Sequence, residues 1–202
     1  MNVSHVILKV SNLNEAVEYY REHGFSVEYG KNKNPLNALI YFSEGPYIEI
    51  LPGTGMPVVF KKIFRLLGKA GLVQRLDHYD SSDNGYCDLG LENHMDNLDK
   101  ERSILMKYGI ASFQKSIRRI DTQGRDLRFK VAIPEALDVP FLMTYFSEDP
   151  KPHNFVHSNG VRGIKKVIYR TNADKILLIK ELCDDERLVV LEGKGIQIEF
   201  DR

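Results

Sequence analysis

A histidine and a glutamate stand on two segments that could bring them together. His5 lies in the run VSHVILKV and Glu49 in the run YIEIL, and both runs are typical of strands. Because strand side chains alternate between two faces, His5 is predicted to share a face with Val3, Ile7 and Lys9. An imidazole and a carboxylate on neighbouring strands are suited to a divalent cation. A hydrogen-bonded histidine and a glutamate on a solvated sheet face are the ordinary alternatives, and they stay open.

Other polar residues are candidates for holding a substrate. Arg128 and Lys130 share a face in LRFKVAI, where they could bind a carboxylate or a phosphate, and Asn37 precedes the strand run ALIYFS. These three residues are predicted to line the same concave surface, with a solvated sheet edge as the alternative. His157 in HSNG is a further candidate, although the Asn-Gly pair after it favours a simple turn.

Three segments repeat one order of elements, and this repetition must position the candidate residues. The first has the strand VSHVILKV, a helix over 13–23, and the strands FSVEYG, NALIYFS and YIEILP. The second has GYCDLGLE, a helix over 96–108, and FQKSIRRI, LRFKVAI and PFLMTYF. The third has GIKKVIYRT, a helix over 173–183, RLVVLEG and GIQIEFDR, so it is one strand short.

The repeated βαβββ units predict an α+β protein. Each unit is a curved sheet with a helix on its back, and two units laid edge to edge form a half-barrel of mixed sheet around a cavity. We expect units at 1–54 and 83–147 and a partial third unit at 161–202, separated by a helical connector at 55–82 and a linker at 148–160. Which units pair around the cavity stays open.

The connector has an amphipathic and basic character. It contains the run KKIFRLLGKAGLVQR and is predicted to be helical from about 58 to 76. We expect Ile63, Phe64, Leu67 and Leu72 to pack on the sheet. A membrane surface or a protein partner is the alternative use of such a helix.

The amino-acid composition limits the classes of partner that we expect the chain to bind. The 202 residues are 43% hydrophobic and 28% charged, with zero formal net charge and six histidines, so the molecule as a whole has no electrostatic attraction to nucleic acid or acidic lipid. We expect neither a nucleic-acid nor a membrane partner, a small molecule as ligand, and a homodimer as one open assembly. With no secretory signal visible and two cysteines that match no metal or redox motif, we expect a cytoplasmic protein with reduced thiols.

Four stretches of the chain carry a family resemblance. HVILKVSNLNEAVEYY, LNALIYFSEGPYIEIL, the pair DLRFKVAI and VPFLMTYF, and HSNGVRGIKKV resemble glyoxalase-like domain proteins of the vicinal-oxygen-chelate superfamily, over about residues 3–170. In metal-using members the ligands come from the first and last strands of two paired units. The resemblance therefore implies His5 and Glu49 as ligands of a Zn, Ni, Mn or Fe ion, with Glu199, which aligns with Glu49, as a third. The full set of four ligands is missing from the sequence.

Two functions follow from this resemblance. The first is an enzyme of the lyase, isomerase or dioxygenase type, in which a metal ion polarises vicinal oxygens of a small organic substrate and Glu49 moves a proton. The second is a metal-free protein of the same fold that binds or sequesters a small molecule. The missing ligand favours the second, and the pairing of His5 with Glu49 favours the first.

Overall fold

The structure is a computed structural model that describes residues 1–202. Its strands are β1 (Asn2–Lys9), β2 (Glu28–Tyr29), β3 (Ala38–Ile40), β4 (Tyr47–Leu51), β5 (Gly85–Asn93), β6 (Ser112–Ile120), β7 (Asp126–Pro134), β8 (Phe141–Thr144), β9 (Gly163–Thr171), β10 (Leu188–Glu192) and β11 (Gly195–Asp201). The helices are α1 (Leu13–Glu22), α2 (Val58–Leu66), α3 (Ala70–Ser81), α4 (Asp99–Lys107) and α5 (Ile176–Leu182), the last preceded by a 3₁₀ turn (Ala173–Lys175). None of the helices combines the length and apolar character that crossing a bilayer requires.

Eight strands form one mixed sheet in the order β2-β3-β4-β1-β5-β8-β7-β6. The first and second units meet at its centre, where β1 and β5 run antiparallel, and each of these strands has a parallel partner from its own unit, β4 or β8. The sheet curls into a half-barrel, which confirms the predicted α+β fold and shows that units one and two form the concave surface.

Local sequence signals begin and end the first helix. The Asn12 side chain accepts hydrogen bonds from the backbone N–H groups of Asn14 and Glu15, at 3.0 and 3.4 Å, and such an N-cap is typically worth about 1 kcal/mol. The chain leaves α1 through Gly24 at a φ of +79°, a left-handed conformation that glycine adopts without strain. Leu13 is buried on the inner side of α1, so the helix covers the convex back of the sheet.

The third unit forms a separate sheet, in the order β10-β9-β11, behind the first. Its buried residues Val167, Tyr169 and Leu178 join the same large core as the backs of β1 and β5. Glu199 stands on β11 beside Lys166, with 3.6 Å between its Oε2 and the lysine Nζ, and half of its side chain is exposed. The third unit therefore supports the half-barrel from outside and does not line it.

The connector differs from its predicted form. It contains two helices, α2 and α3, because Gly68 ends the first at a φ of +72°. Leu72 is buried as expected, but Ile63 and Leu67 face outward, so the prediction that they pack on the sheet is wrong. The orientation is set by Lys61, which is buried and donates hydrogen bonds to Asp77 and Asp80 on α3.

A buried ion pair anchors α3 to the sheet. Arg75 on α3 is 1% exposed and donates to Asp88 Oδ2 on β5 at 2.7 Å. It also donates to the carbonyls of Ala136 and Val139, each at 2.7 Å, and Tyr79 donates to the same Asp88 carboxylate. These bonds satisfy the buried Asp88 carboxylate and hold α3 over one end of the concave surface.

Candidate active site in the concave face

The His5 imidazole is buried in the concave face and held on every side. Its Nε2 lies 3.3 Å from Glu49 Oε2, and its Nδ1 lies 2.9 Å from Ser4 Oγ. The ring stacks on Tyr47 at 4.5 Å between centroids and meets the edge of Phe141 at 5.2 Å. With 3% of its surface exposed, the imidazole is positioned to hold Glu49 more than to touch a ligand itself.

A β-bulge sets which residues of β1 face inward. Val3 pairs with Leu91 and His5 pairs with Gly90, so Ser4 is an extra residue without a partner on β5. Val3 consequently packs in the core behind the sheet, and the prediction that it shares a face with His5 is wrong. The extra residue also places the Ser4 hydroxyl beside the imidazole, which regular alternation would not do.

Glu49 is a partly exposed carboxylate with both oxygens engaged. Asn37 Nδ2 donates to its Oε1 at 2.6 Å, while its Oε2 faces the His5 ring. Burial alone would raise the pKa of Glu49, but the hydrogen bonds from His5 and Asn37, together with the charge of Arg119, lower it below the ordinary value. The group is therefore ionised at neutral pH, and 20% of its side chain remains open to the cavity.

Arg119 on β6 is the residue that the sequence reasoning missed. Its guanidinium donates to the Gly30 carbonyl at 3.0 Å and to the Tyr41 hydroxyl at 3.2 Å, and it lies 5.7 Å from the Phe146 ring centre. The signal was present in SIRRI, because strand alternation must turn one of two adjacent arginines toward the concave face. Arg119 brings a positive charge to the surface that holds Glu49.

These residues surround a cavity of about 620 Å³, which we call the cup. Its walls are largely apolar and include Ile7, Leu36, Leu51, Leu76, Tyr79, Ile120, Val131, Ile133 and Phe141. Its polar lining residues are Lys31, Asn37, Glu49, Thr54, Arg118 and Arg119. An apolar pocket with a small number of convergent polar groups is the usual form of a small-molecule site.

The structure does not bring Arg128 and Lys130 to the cup. Phe129 and Val131 pack in the concave cluster, so alternation along β7 turns Arg128 and Lys130 to the opposite face. There they line another cavity, of about 750 Å³. Arg128 forms an ion pair with Asp126 at 2.6 Å, which engages the guanidinium proposed for a substrate anion. Of the predicted substrate-binding residues, Asn37 alone lines the cup.

His157 belongs to the aromatic core, away from the cup. Its Nδ1 accepts the backbone N–H of Ser26 at 2.9 Å, and rings of Phe25, Phe42 and Phe155 surround it at about 5 Å between centroids. Burial lowers the pKa of His157, which favours the neutral ring. These contacts support the structural alternative for this residue.

The repeat shows which second-unit residues correspond to the His5–Glu49 pair. Aligning the Asn-Leu that starts each unit's helix, 12–13 and 97–98, makes Gly90 the counterpart of His5 and Glu92 the counterpart of Ile7. Glu49 pairs with Ile7 and Met143 pairs with Glu92, so Met143 is the counterpart of Glu49. A glycine and a buried methionine thus stand where a symmetric metal site needs two more donors.

The residues of the cup do not fit a metal ion held by four ligands. His5 and Glu49 supply two donors, and no cluster of three or more His, Cys, Asp or Glu side chains is present for a metal ion. Glu199 lies on the other sheet, so the expected triad of His5, Glu49 and Glu199 does not form. A Cβ atom added at Gly90 would lie 2.9 Å from His5 Cε1, so no donor side chain fits there unless the ring moves.

The fold and the cup define a vicinal-oxygen-chelate protein with an incomplete metal-ligand set. Residues 3–178 match the family described as a glyoxalase-like domain, and the chain belongs to that family. No functionally curated protein gives a significant match to the chain.

Solved structures resemble the chain at low sequence identity. A hypothetical protein from Staphylococcus aureus is 13% identical, with a TM-score of 0.60 over 96% of this chain and 87% of the other. A methylmalonyl-CoA epimerase variant from Streptomyces coelicolor, in complex with 2-nitronate-propionyl-CoA, is 14% identical, with a TM-score of 0.43 over 72% and 97%. A glyoxalase I variant from Zea mays is 12% identical, with a TM-score of 0.42 over 90% and 54%. The Staphylococcus aureus protein shares the fold, and the likeness extends no further.

Proposed function

We propose that the chain binds a small organic carbonyl compound in the cup and that Glu49 moves a proton on it, as in an isomerase. One observation carries this proposal: the Glu49 carboxylate opens into an apolar-walled cavity while His5 and Asn37 hold both of its oxygens. A positioned carboxylate is one of the side chains that act as general base, so an ionised Glu49 is able to accept a proton from a carbon next to a carbonyl.

Each polar residue has a distinct part in this chemistry. Glu49 accepts a proton from the carbon beside the carbonyl and returns it to the same carbon or to a neighbouring one, so no second substrate is consumed. Arg119 supplies positive charge for the oxygen on which negative charge develops. His5 and Asn37 orient the carboxylate, and the apolar walls bind the rest of the molecule.

The proposal uses no metal ion. A divalent ion of Zn, Ni, Mn or Fe, expected from the family resemblance, would need donors that the second unit replaces with Gly90 and Met143. The hydrogen bonds to Glu49 instead come from residues of the chain itself. The alternative function is that the chain only binds or sequesters a small molecule in the cup, without transferring a proton.

Hydrogen exchange distinguishes the two functions. The chelator-treated protein is incubated in D₂O with a panel of small hydroxyketones and keto acids, and deuterium incorporation beside the carbonyl is followed by NMR. We expect incorporation that Glu49→Gln lowers at least about a hundredfold, the size typical of losing a general base, and that Glu186→Gln, an exposed control, leaves unchanged.

Binding to the cup is measured on the same proteins. Displacement of an apolar fluorescent dye by the panel compounds should persist in Glu49→Gln. If compounds bind but no exchange occurs in the wild type, the chain is a binding protein and the catalytic proposal is wrong. If exchange appears only after a divalent ion is added, the metal-free mechanism is wrong.

A further inference from the structure

The outward side of α2 is apolar. Val59, Phe60, Ile63, Leu66 and Leu67 are each between 44% and 87% exposed, and we call these five residues the outer face. At 100° per residue they fall on one stripe of the helix, opposite the buried Lys61. A surface helix of a globular protein normally buries its apolar stripe and exposes its cations, so the orientation of α2 is reversed.

The reversal is built into the fold. Lys61 is fixed inward because its Nζ donates to Asp77 and Asp80, and Arg65 also pairs with Asp77. Turning the outer face inward would bury apolar surface but break these ion pairs. The helix therefore presents the outer face to whatever lies beside the protein, and an apolar patch of this kind marks an interaction site.

The charges around the outer face indicate what covers it. From Gly53 to Leu76 the chain contains no aspartate or glutamate, whereas it contains five cations. Lys61 and Arg75 are used inside the protein and Arg65 pairs with Asp77, which leaves Lys62 and Lys69 as the cations beside the outer face that have no ion pair. Two copies meeting through this helix would bring like charges together. The outer face, with four residues on this nine-residue helix and one at its C-cap, is also small against the roughly 20–30 residues that each partner contributes to a stable protein interface.

We propose that the outer face of α2 inserts into an anionic lipid surface, with Lys62 and Lys69 contacting the headgroups. Bulky apolar residues on one side of a basic helix are the pattern of helices that lie in the membrane interface. Each cation adds attraction to a negatively charged leaflet. The proposal concerns a different surface from the cup and does not depend on the proton transfer assigned to Glu49.

Docking in this way would place the cup near the lipid. Leu36 lines the cup and is 52% exposed, and it lies beside Gly55 in the segment that leads into α2. The segment that leads into α2 therefore borders the rim of the cup, where Lys31 adds a cation. A lipid surface that receives α2 would also contact this rim.

Vesicle flotation tests the proposal with the full chain. One set of vesicles is phosphatidylcholine alone and the other contains phosphatidylcholine and phosphatidylglycerol at about two to one, an anionic surface of the kind that attracts basic segments. We expect binding to the anionic vesicles that falls with added salt and little binding to the neutral ones. The double substitution Ile63→Ser with Leu66→Ser should lower the bound fraction at least about tenfold.

A matched control distinguishes binding through the outer face from non-specific hydrophobic adsorption to vesicles. Leu177→Ser removes a side chain that is 70% exposed on α5, and it should leave vesicle binding unchanged. Circular dichroism checks that all variants fold, and we expect them to fold because the substituted positions are exposed. Failure of the wild type to bind anionic vesicles would overturn the proposal. So would a wild-type dimer in sedimentation that Ile63→Ser with Leu66→Ser makes monomeric, because the covering partner would then be a second copy.

Discussion

Gly90→Ala should disrupt the candidate active site because the His5 ring packs directly on this glycine. An added Cβ would lie 2.9 Å from His5 Cε1, 3.1 Å from His5 Nδ1 and 2.8 Å from Phe141 Cζ. Gly90 has no positive φ, so alanine is compatible with the backbone and by itself gains about 0.4–1 kcal/mol through the unfolded chain. Overpacking typically costs about 1–3 kcal/mol. Subtracting the gain from the cost gives a net destabilisation between about 0 and 2.6 kcal/mol, and we expect about 1.3 kcal/mol from the midpoints of the two ranges.

Urea denaturation and NMR measure the two consequences separately. Gly163→Ala is the matched control, because Gly163 is also a buried strand glycine without a positive φ and its added Cβ meets nothing closer than 3.7 Å. The control should be neutral or slightly stabilising. In Gly90→Ala the His5 ring signals should shift, and the hydrogen exchange that we propose for Glu49 should fall. A variant as stable as the control, with unchanged His5 signals, would refute the packing described for this site.

Three further predictions concern groups outside that contact. Arg75→Ala should lower the free energy of unfolding, measured by urea denaturation, by about 3–5 kcal/mol, because it leaves the buried Asp88 without its cation. Arg128→Ala, which removes an exposed ion pair, should change the same free energy by no more than about 0.5 kcal/mol. Equal changes in the two variants would contradict the role of Arg75 as the partner of a buried carboxylate. Since folding lowers the Glu49 pKa, the stability that its ionisation contributes is complete above about pH 4.5, the ordinary value, and disappears as pH falls through the lower folded-state pKa. The stability difference between wild type and Glu49→Gln should therefore shrink on acidification, and a difference that grows would count against it. Burial raises the pKa of Cys87 to about 12 and that of Cys183 to about 11, so both thiols should react slowly with iodoacetamide in the folded protein, and fast labelling would show that they are accessible.

Much of the fold could be predicted from repetition and alternation. The β-α-β-β-β order is readable because the helices of the first and second units each have a polar start and a glycine end, and the strand runs are bounded by turn residues. The central β1–β5 pairing was not readable, since the third unit offers strands of the same character. The orientation of α2 was missed for a related reason: hydrophobic periodicity identifies an apolar face but does not say whether ion pairs such as Lys61–Asp80 turn it outward.

The site was predicted in part. Alternation correctly places His5 and Glu49 on one concave surface, because the residues from His5 to Lys9 pair in regular register with those from Tyr47 to Leu51. The bulge at Ser4 could not be foreseen, since an extra residue leaves no mark in the hydrophobic pattern. Alignment of the repeats makes Glu199 the equivalent of Glu49 in the third unit, and this equivalence suggested a shared site. The third unit forms its own sheet, so Glu199 does not reach the cup. Predicting that Arg119 faces the concave surface required the register of β6, and the turns on either side of β6 do not determine that register.

The central claim is that the chain's own residues hold Glu49 as an ionised carboxylate facing the cup. An NMR titration of the Glu49 carboxyl carbon in chelator-treated protein measures this directly. The account predicts a pKa below the ordinary 4.5 that stays there when Zn, Ni, Mn or Fe is added in stoichiometric amount. A pKa at or above that value, or a carboxyl signal that shifts or broadens only at this residue when the ion is added, would contradict it.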